Sequence, residues 1–315
     1  MLAKGKRGIV HIGKFKGKQC AVKEANPSSE ALRAVEFEYE MLLRVNKLGI
    51  GPKVFGFKEG KLYMELIKGS LIGDFIQEAS RINILNMVKE VLNQLHKLDK
   101  AGLNKSELTN PYKHIIITKE KVVQIDFERC RPSKKPQNIT QFMNYLLRPH
   151  INKILVKKEI YVNPDKIHKL SQKYSRAQPK FKKNLFPTQD NGKNPRFEIT
   201  GQEKFFKEIQ DEVLQKSFTT KIYRACAAIP KGKVSTYKEL AKAVGSKAYR
   251  AVGQVMHNNP FAPDVPCHRV IASDRTLGGF ATGINKKRRM LENEGVIIKN
   301  NKVQDICLTN SSRGT

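Results

Sequence analysis

A cysteine and a histidine stand side by side in the segment Pro266-Cys267-His268-Arg269-Val270. Cysteine attacks carbon or sulfur as the thiolate, and a nearby base or positive charge favours that form. Neighbouring side chains in an extended segment point to opposite faces, so adjacency alone does not establish contact. The pair taken alone is therefore more typical of a buried structural cysteine, and the interpretation as a nucleophile with its base depends on the surrounding segments.

Two short helices are predicted upstream of this cysteine. Thr236 and Glu239 have the capping-box spacing that starts a helix, and Gly245 ends the apolar repeat that follows. The polar face of a second helix carries Arg250, Gly253, Gln254 and His257. Two short helices joined by a glycine turn are typical of a helix-turn-helix, whose second helix is presented to nucleic acid. The alternative is an ordinary helical hairpin with a solvated basic face.

The segments on either side of Cys267 also favour an organised site. Residues 258–266 contain three prolines, which restrict the loop that leads to the cysteine. Residues 278–283 are rich in glycine and flexible enough to wrap a flat ligand. A basic helix is predicted from Asn285 to Glu294, and it places Glu294 where it could orient His268.

Residues from about 205 to 296 resemble the catalytic domain of the O6-alkylguanine-DNA alkyltransferases. The motifs that carry the resemblance follow one another as Ile229–Val234 (Ile-Pro-Lys-Gly-Lys-Val), Arg250–Gly253 (Arg-Ala-Val-Gly), Asn259-Pro260, Pro266–Val270 (Pro-Cys-His-Arg-Val) and Leu291–Gly295. The resemblance implies a single irreversible transfer of an alkyl group from guanine O6 in double-stranded DNA to the cysteine. It also implies that this transfer needs no cofactor and no metal.

The resemblance assigns a role to each candidate residue. Cys267 would attack the alkyl carbon, His268 would accept the thiol proton through a water, and Glu294 would fix the imidazole tautomer. Tyr237 would supply the proton or hydrogen bond that the departing guanine needs, and Asn259 would brace the cysteine loop. DNA contacts would come from Arg250, Gly253 and Gln254, with Arg250 filling the gap left by the extruded base. The alkylguanine pocket would be lined by Val265, Gly278 and Phe280.

Two features depart from the pattern of that family. Thr282 stands where its members usually have a glycine, which would narrow the range of bulky alkyl groups accepted. Residues 177–204 are polar, basic and rich in proline, so they are predicted to be a linker. The ribonuclease-H-like domain that usually precedes the catalytic domain is therefore replaced by something else.

The first 176 residues resemble the atypical archaeal serine/threonine protein kinases related to the RIO and Kdo kinase groups. Gly5 and Gly8 lie in a short glycine hairpin, Lys23 ends the strand Cys20-Ala21-Val22-Lys23, and Glu38 lies on a following helix. Asp126 follows the apolar run Val123-Gln124-Ile125 and matches the metal-binding aspartate. The resemblance implies a bilobal domain that binds ATP and Mg²⁺ through Gly5, Gly8, Lys23, Glu38 and Asp126.

The expected catalytic residues are missing from this kinase-like segment. Counting back from Ile115-Ile116-Ile117, the metal-binding asparagine falls on His114 and the catalytic aspartate on Thr109. Glu107 is the nearest carboxylate and a possible substitute base. ATP binding is therefore a firmer expectation than phosphoryl transfer.

Composition narrows the possible partners. The chain has 315 residues, a net charge of +30 and a pI near 9.9, which favours a polyanionic partner such as DNA. Its five cysteines are scattered and odd in number, which indicates a reducing compartment and no disulfide framework. Without a membrane-spanning apolar stretch or a signal-peptide pattern, we expect a cytoplasmic protein with no membrane partner.

The sequence thus predicts an α+β protein of two domains. A bilobal kinase-like domain occupies residues 1–176, a basic linker 177–204, a winged helix-turn-helix-like alkyltransferase domain 205–298 and a flexible tail 299–315. The leading function is direct repair of O6-alkylguanine. Two alternatives are a non-enzymatic sensor of alkylation damage, against which Cys267 argues, and a regulatory protein kinase with a DNA-binding half.

Overall fold

The computed structural model describes residues 3–4, 7–27, 33–178 and 200–304. These residues belong to two compact units. The first unit comprises residues up to 154 together with 164–210, and the second comprises 155–163 together with the residues from 211 onward. Within the described residues, no helix is both long enough and apolar enough to cross a membrane.

The first unit begins with a five-stranded antiparallel sheet of order β1-β2-β3-β5-β4. Its strands are β1 Ala3–Lys4, β2 Gly8–Phe15, β3 Lys18–Ala25, β4 Val54–Lys58 and β5 Lys61–Met64. Strand β3 lies in the middle, where Lys23 pairs with Val10 of β2 and Leu62 of β5. Helix α1, Ala34–Asn46, follows β3 and buries Glu38 on its apolar face. This arrangement places the buried side chains of Lys23 and Glu38 between the sheet and α1, within contact of each other.

The rest of the first unit is mainly helical. Its helices are α2 Ile72–Glu78, α3 Arg81–Lys100, α4 Asn138–Leu146, α5 Pro149–Lys157, α6 Pro164–Arg176 and α7 Thr200–Val213, of which α5 and α7 continue into the second unit. Its short strands are β6 Ser70–Leu71, β7 Leu103–Lys105, β8 Ile115–Ile117, β9 Val122–Gln124 and β10 Cys130–Pro132. They form the sheets β6-β8-β9 and β7-β10. Asp126 follows β9 with a φ of 63°, in the left-handed region that a non-glycine residue rarely adopts.

Helix α7 differs from the sequence prediction. It begins at Thr200 and runs through residue 205, where the linker was predicted to end. Glu203 accepts hydrogen bonds from His96 Nε2 (3.1 Å) and Lys100 Nζ (3.0 Å), and the Phe206 ring stacks on His96 at 3.9 Å between ring centres. These partners are about a hundred positions away, so local composition carried no sign of the helix. Most of the predicted linker, residues 179–199, lies outside the described residues.

The second unit contains four further helices and two pairs of short strands among its described residues. They are α8 Phe218–Ala227, β11 Ser235–Thr236, α9 Tyr237–Ala243, α10 Tyr249–His257, β12 Val270–Ile271, α11 Ile284–Asn293, β13 Ile298–Lys299 and β14 Lys302–Val303. Strand β11 pairs in parallel with β12, which connects the start of α9 to the segment after Cys267. The core packs Tyr223, Leu240, Val252 and Met256 from helices α8 to α10.

The predicted helix-turn-helix is present as α9 and α10. Thr236 Oγ1 accepts a hydrogen bond from the Glu239 amide (3.1 Å), which caps α9 as the spacing indicated. Gly245 ends the turn with a φ of 71°, and Ser246 N donates to the Ala241 carbonyl at 2.9 Å. Helix α10 buries Val252 and Met256 and leaves its other face exposed.

The beginning of the predicted tail is ordered. Strands β13 and β14 form an antiparallel hairpin, in which Val303 pairs with Ile298. The Val303 side chain is buried with Ile271, Leu277 and Leu291. Burial of this single valine ties residues 299–303 to the second unit, although their polar composition had suggested a loose segment. Residues 305–315 lie outside the described residues.

Candidate functional site

Cys267 begins a single turn of 3-10 helix, Cys267–Arg269, directly after Pro266. Its amide donates to the Val265 carbonyl at 2.8 Å. The same carbonyl accepts Asn259 Nδ2 at 2.8 Å, and Asn259 Oδ1 accepts the Phe261 amide at 3.0 Å. The Asn259 side chain therefore closes the loop that ends at the cysteine. Cys267 is partly exposed, which leaves its thiol within reach of a ligand.

His268 is buried beside Glu294. The His268 Nε2 and Glu294 Oε1 atoms are 2.9 Å apart, and Arg269 donates from Nε to Oε2 and from Nη2 to Oε1, each at 2.8 Å. The Gly232 amide donates to Oε2 at 3.3 Å. Burial raises the pKa of Glu294, but the hydrogen bonds from Arg269, His268 and Gly232 outweigh it and lower the pKa to about 2.

This pKa fixes the tautomer of the imidazole. Glu294 is ionised at neutral pH, so its oxygens only accept hydrogen bonds. His268 Nε2 must then carry the proton that it donates to Glu294, and Nδ1 is left as the basic nitrogen. His268 is thus set up to accept a proton on the nitrogen that faces away from the carboxylate.

The segment Ile229–Val234 supports this network from the other side. Arg269 Nη1 donates to the Ile229 carbonyl at 2.6 Å. Gly232 has a φ of 75°, and a Cβ at this position would lie 2.8 Å from the Glu294 carbonyl oxygen. Only glycine fits such a backbone without strain. Arg269 and Gly232 were not predicted as site residues, although both belong to motifs that the sequence analysis quoted.

Tyr237 and the glycine-rich loop meet beside the cysteine. A Cβ on Gly278, whose φ is 67°, would lie 3.4 and 3.5 Å from Cε2 and the hydroxyl oxygen of Tyr237. The loop backbone therefore packs directly on the phenol. Burial, and secondly Cys267, raise the pKa of Tyr237, so its hydroxyl remains a proton donor at neutral pH. Val265 is fully buried in the core that Cys267 packs against, and it contributes its carbonyl to the site.

Lys287 is a buried residue of this site that sequence reasoning missed. Its Nζ donates to the carbonyls of Val270 (2.5 Å) and Leu277 (2.6 Å) and lies 5.9 Å from the ring centre of Tyr237 and 5.8 Å from that of Phe280. Burial lowers its pKa to about 8, although Cys267 and Cys226 favour the charged form. The signal in the sequence is a lysine four positions before the buried Leu291, on the inward face of α11.

The exposed face of α10 carries the predicted DNA-binding residues. Arg250 and Gln254 are exposed, and Gly253 is half-buried. A Cβ on Gly253 would have no heavy atom within 4 Å, so the helix backbone is open to close approach at this point. The thiol site (Cys267, His268, Glu294, Asn259 and Tyr237) and this face belong to the same unit.

The first unit contains a second group of charged side chains, the lysine cluster (Lys23, Glu38, Asp126 and Glu128). Lys23 Nζ lies 2.5 Å from Glu38 Oε2, 3.1 Å from Asp126 Oδ1 and 3.4 Å from Glu128 Oε2. Burial alone would lower the pKa of Lys23, but the three carboxylates raise it. Gly8 packs on Lys23, since a Cβ there would lie 2.9 Å from its Cε. Gly5 lies outside the described residues.

The carboxylates of this cluster could hold a cation. Oxygen atoms of Glu38, Asp126 and Glu128 all lie within 4.8 Å of one another. Burial raises the pKa of Glu38, whereas Lys23 and Lys105 outweigh burial and lower that of Asp126. Hard carboxylate oxygens are the ligands that Mg²⁺ takes together with nucleotide phosphates. The donor set therefore fits the predicted ion, and Glu128 adds a carboxylate that was not predicted as a ligand.

Of the three positions expected to carry kinase catalysis, His114 lies beside Asp126. His114 Nδ1 is 3.6 Å from Asp126 Oδ2, and burial lowers the His114 pKa to about 4, so the imidazole is neutral at physiological pH. Lys105, also missed from the sequence, is fully buried and donates to the carbonyls of Ile125 (2.8 Å) and Asp126. Glu107 Oε2 lies 3.8 Å from Lys105 Nζ, while Thr109 ends a short 3-10 helix.

Comparison with known proteins gives a family for part of the second unit. Residues 217–296 match the model of the 6-O-methylguanine DNA methyltransferase, DNA binding domain. A methylated-DNA–protein-cysteine methyltransferase of Metallosphaera sedula is 40% identical over 94 residues, which are 30% of this chain and 59% of the relative. One of the same name from Methanosarcina barkeri is 45% identical over 78 residues, 24% of this chain and 49% of the relative. The chain thus spans about half the length of these curated relatives.

A solved structure gives a match of similar extent. The crystal structure of Mycobacterium tuberculosis OGT in complex with DNA is 43% identical over 25% of this chain and 49% of that chain, with a TM-score of 0.24. The family model spans α9, α10, the motif that contains Cys267 and His268, and the later motif that contains Glu294. Residues 217–296 of this chain therefore form a DNA-binding domain of the 6-O-methylguanine DNA methyltransferase family.

Proposed function

We propose that this protein repairs DNA by moving an alkyl group from O6 of guanine to Sγ of Cys267. The observation that carries the proposal is the hydrogen-bonded chain from His268 to Glu294 beside a partly exposed cysteine, within a domain of this family. A thioether does not revert by hydrolysis, so each molecule reacts once.

The chemistry requires one bond to form as another breaks. Cys267 Sγ bonds to the alkyl carbon while the carbon–O6 bond breaks and its electron pair stays with guanine. The thiol proton leaves through a water toward Nδ1 of His268, where Glu294 stabilises the resulting imidazolium. Guanine gains a proton on its ring nitrogen, and the Tyr237 hydroxyl is the donor nearest the loop of Gly278. Solvent then returns a proton to Tyr237 and takes one from His268, so the proton lost by sulfur balances the proton gained by the base.

Delivery of the base depends on the exposed face of α10. The guanine must leave the duplex to reach a half-buried thiol, which costs unstacking and unpairing energy. Arg250 would occupy the vacated position, while Gly253 and Gln254 approach the sugar-phosphate backbone. The charge of +30 over the chain supports a polyanionic partner.

The deciding experiment is to incubate the full chain with an O6-methylguanine duplex and weigh its cysteine-containing peptides. The Cys267 peptide should gain one methyl group, and the buried Cys226 peptide is the internal control. Cys267→Ala should abolish transfer and retain binding of the duplex. Binding without any gain of mass on Cys267 would contradict the proposal and favour a sensor of alkylation damage.

We propose as a second function that the lysine cluster binds ATP with Mg²⁺ in a kinase-like domain. Lys23 would contact a phosphate of ATP once the carboxylates bind the ion. Asp126 and Glu128 lie beside Lys23, and the neutral His114 lies beside Asp126. Three carboxylates facing one lysine supply the negative charge that a cation would balance. Phosphoryl transfer is a further step, which would depend on Glu107 acting as the base in place of the missing aspartate.

Titration calorimetry of the full chain with magnesium-ATP tests this function. Lys23→Ala and Asp126→Ala should each remove the binding heat, whereas Lys58→Ala, a lysine 72% exposed on the same sheet, should retain it. Autophosphorylation that Glu107→Gln suppresses would make the domain a kinase. Binding without transfer would make it a pseudokinase, and an absence of binding in the folded wild-type protein would refute the nucleotide site.

A further inference from the structure

Tyr249 is the first residue of α10 and is 52% exposed. It directly precedes Arg250, which is itself exposed. Among the described residues of the second unit, the large hydrophobic side chains with such exposure are Tyr249, Ile284 and Ile297. An aromatic ring left in solvent at the start of a helix contributes little to a core, and a tyrosine combines a flat apolar ring with a polar tip that suits a partly wet interface.

The surface around the ring is suited to duplex DNA. Gly253 lies one turn further along α10, on the same side of the helix as Tyr249, and a side chain there would meet nothing within 4 Å. The helix backbone is therefore bare one turn beyond Tyr249, which leaves room for a ligand to approach. Helices α9 and α10 and the turn between them carry Lys238, Lys242, Lys247 and Arg250 against the single carboxylate Glu239. The charge of this surface is complementary to phosphate.

We propose that Tyr249 stacks on the base pair next to the position from which the alkylated guanine is extruded. Arg250 and Tyr249 then form a wedge of two side chains, in which Arg250 fills the vacancy and Tyr249 supports the neighbouring pair. Aromatic side chains stack on any base through its flat face, and apolar wedges are used where proteins unstack a step in the minor groove. This inference rests on the alkyl-transfer function proposed above.

The location of Tyr249 predicts a selective effect. Stacking lowers the energy of the extruded state but touches no reacting atom, so it matters for a guanine in a duplex and not for a free base. Tyr249→Ala should slow transfer from an O6-methylguanine duplex by about tenfold or more, the scale of losing one stacked ring. Transfer from free O6-benzylguanine should change less than about twofold. Tyr249→Phe keeps the ring and should retain the duplex rate.

Rates of alkylation of Cys267 in the full chain with both substrates provide the test. Ile297→Ala, at 53% exposure in the same unit and away from α10, is the matched control and should leave both rates unchanged. Equal rates for Tyr249→Ala and wild type on the duplex would overturn the inference. An equal loss on both substrates would also overturn it, because that pattern indicates a structural role. Failure of Tyr249→Phe to retain the rate would assign the effect to the hydroxyl and refute stacking.

A second readout does not depend on transfer. A duplex with 2-aminopurine beside O6-methylguanine reports stacking by its fluorescence, and Cys267→Ala protein can bind it without reaction. Replacing Tyr249 by Ala in that background should change the fluorescence of the bound duplex, because the ring no longer stacks on the reporter base. If neither substrate transfers its alkyl group to Cys267 of the wild-type protein, the proposed function fails. The fluorescence measurement then still shows whether Tyr249 stacks on the neighbouring base. Unchanged fluorescence would overturn the inference.

Discussion

The thiol site and the lysine cluster are built from opposite balances of charge. At the thiol site, one carboxylate, Glu294, receives hydrogen bonds from His268, Arg269 and the Gly232 amide. In the lysine cluster, one ammonium group, Lys23, faces Glu38, Asp126 and Glu128. The first arrangement surrounds one anion with hydrogen-bond donors, and the second gathers three carboxylates around one ammonium group, with Arg7 Nη1 lying 3.6 Å from Glu128 Oε1.

This difference indicates how each site reaches its working state. Satisfied hydrogen bonds hold the His268 imidazole in one tautomer before any substrate arrives, which is the preorganisation that transfer chemistry needs. Carboxylates gathered around one lysine supply the hard oxygen ligands that a divalent cation takes. We therefore expect alkyl transfer at the thiol site to fall when one of its own side chains is lost. The lysine cluster should instead reach its working arrangement chiefly when a cation and a nucleotide bind.

The largest expected effect comes from replacing one carboxylate in each site by an amide. Glu294→Gln leaves Arg269 without its bidentate acceptor and removes the charge that stabilises the His268 imidazolium, so transfer to Cys267 should fall about 100-fold. Glu38→Gln should leave transfer unchanged and weaken binding of magnesium-ATP. Single-turnover rates and calorimetry on both variants make the comparison. A similar fall in transfer for both variants would show that the charge of the first unit controls the second.

The next effect concerns the glycine beside each charged group. Gly232→Ala places a Cβ 2.8 Å from the Glu294 backbone oxygen at a φ of 75°, and should destabilise the local fold by about 2 kcal/mol. Gly8→Ala would place a Cβ 2.9 Å from Cε of the flexible Lys23 side chain and 3.3 Å from the Glu24 carbonyl oxygen, so it should weaken nucleotide binding with a smaller loss of stability. Hydrogen exchange of peptides from each unit measures local opening. Unchanged exchange around residues 229–236 in Gly232→Ala would contradict the role given to that turn.

A smaller effect should appear in the pH dependence of transfer. The Lys287 pKa is about 8, depressed by burial, so its charge is present below pH 8 and lost as the pH rises through that value. Lys287→Met should slow transfer from free O6-benzylguanine on the order of tenfold at pH 7, because a nearby cation favours the thiolate. The difference from wild type should shrink above about pH 9, where Lys287 is already neutral.

Two measurements check this interpretation of Lys287. Lys286→Met, which changes the exposed neighbour on α11, should follow the wild-type pH profile. A constant ratio between Lys287→Met and wild type across the pH range would mean that the side chain acts through packing alone. The same depressed pKa implies that the free energy of unfolding gains a contribution as the pH rises from 8 toward the ordinary lysine value, since the unfolded chain then binds the extra proton.

The smallest effect compares one helix cap from each unit. Thr236 caps α9 by accepting the Glu239 amide, and Ser80 caps α3 by accepting the Asn83 amide at 3.3 Å. Alanine at either position should cost about 1 kcal/mol locally. Only Thr236→Ala should also slow transfer, by a few-fold, because the cap immediately precedes Tyr237. Hydrogen exchange of α9 and α3 measures the local loss of stability, and transfer rates measure the effect on the thiol site. Equal transfer rates in both variants would show that the cap of α9 does not affect the thiol site.

Much of the thiol site could be predicted because its signals are local. The capped start of α9, the glycine turn before α10 and the adjacent Cys267 and His268 depend on residues a few positions apart. Capping and turn formation are governed by hydrogen bonds and backbone angles within that range. The resemblance in the motifs then predicted that Glu294 orients His268, and the structure places His268 Nε2 and Glu294 Oε1 within hydrogen-bond distance.

The lysine cluster and the ends of several helices and strands depend on contacts between residues that are far apart in the chain. Asp126 reaches Lys23 across 103 positions, and no periodicity in the chain indicates that Glu128 joins them. The inward direction of Lys287, the stacking of Phe206 on His96 and the burial of Val303 likewise arise only when distant segments pack together. The sequence by itself thus placed Cys267 beside His268 and determined the helices that present them, through short-range hydrogen bonding. Only the tertiary structure decided which buried charges meet, because burial and pairing energies depend on neighbours far along the chain.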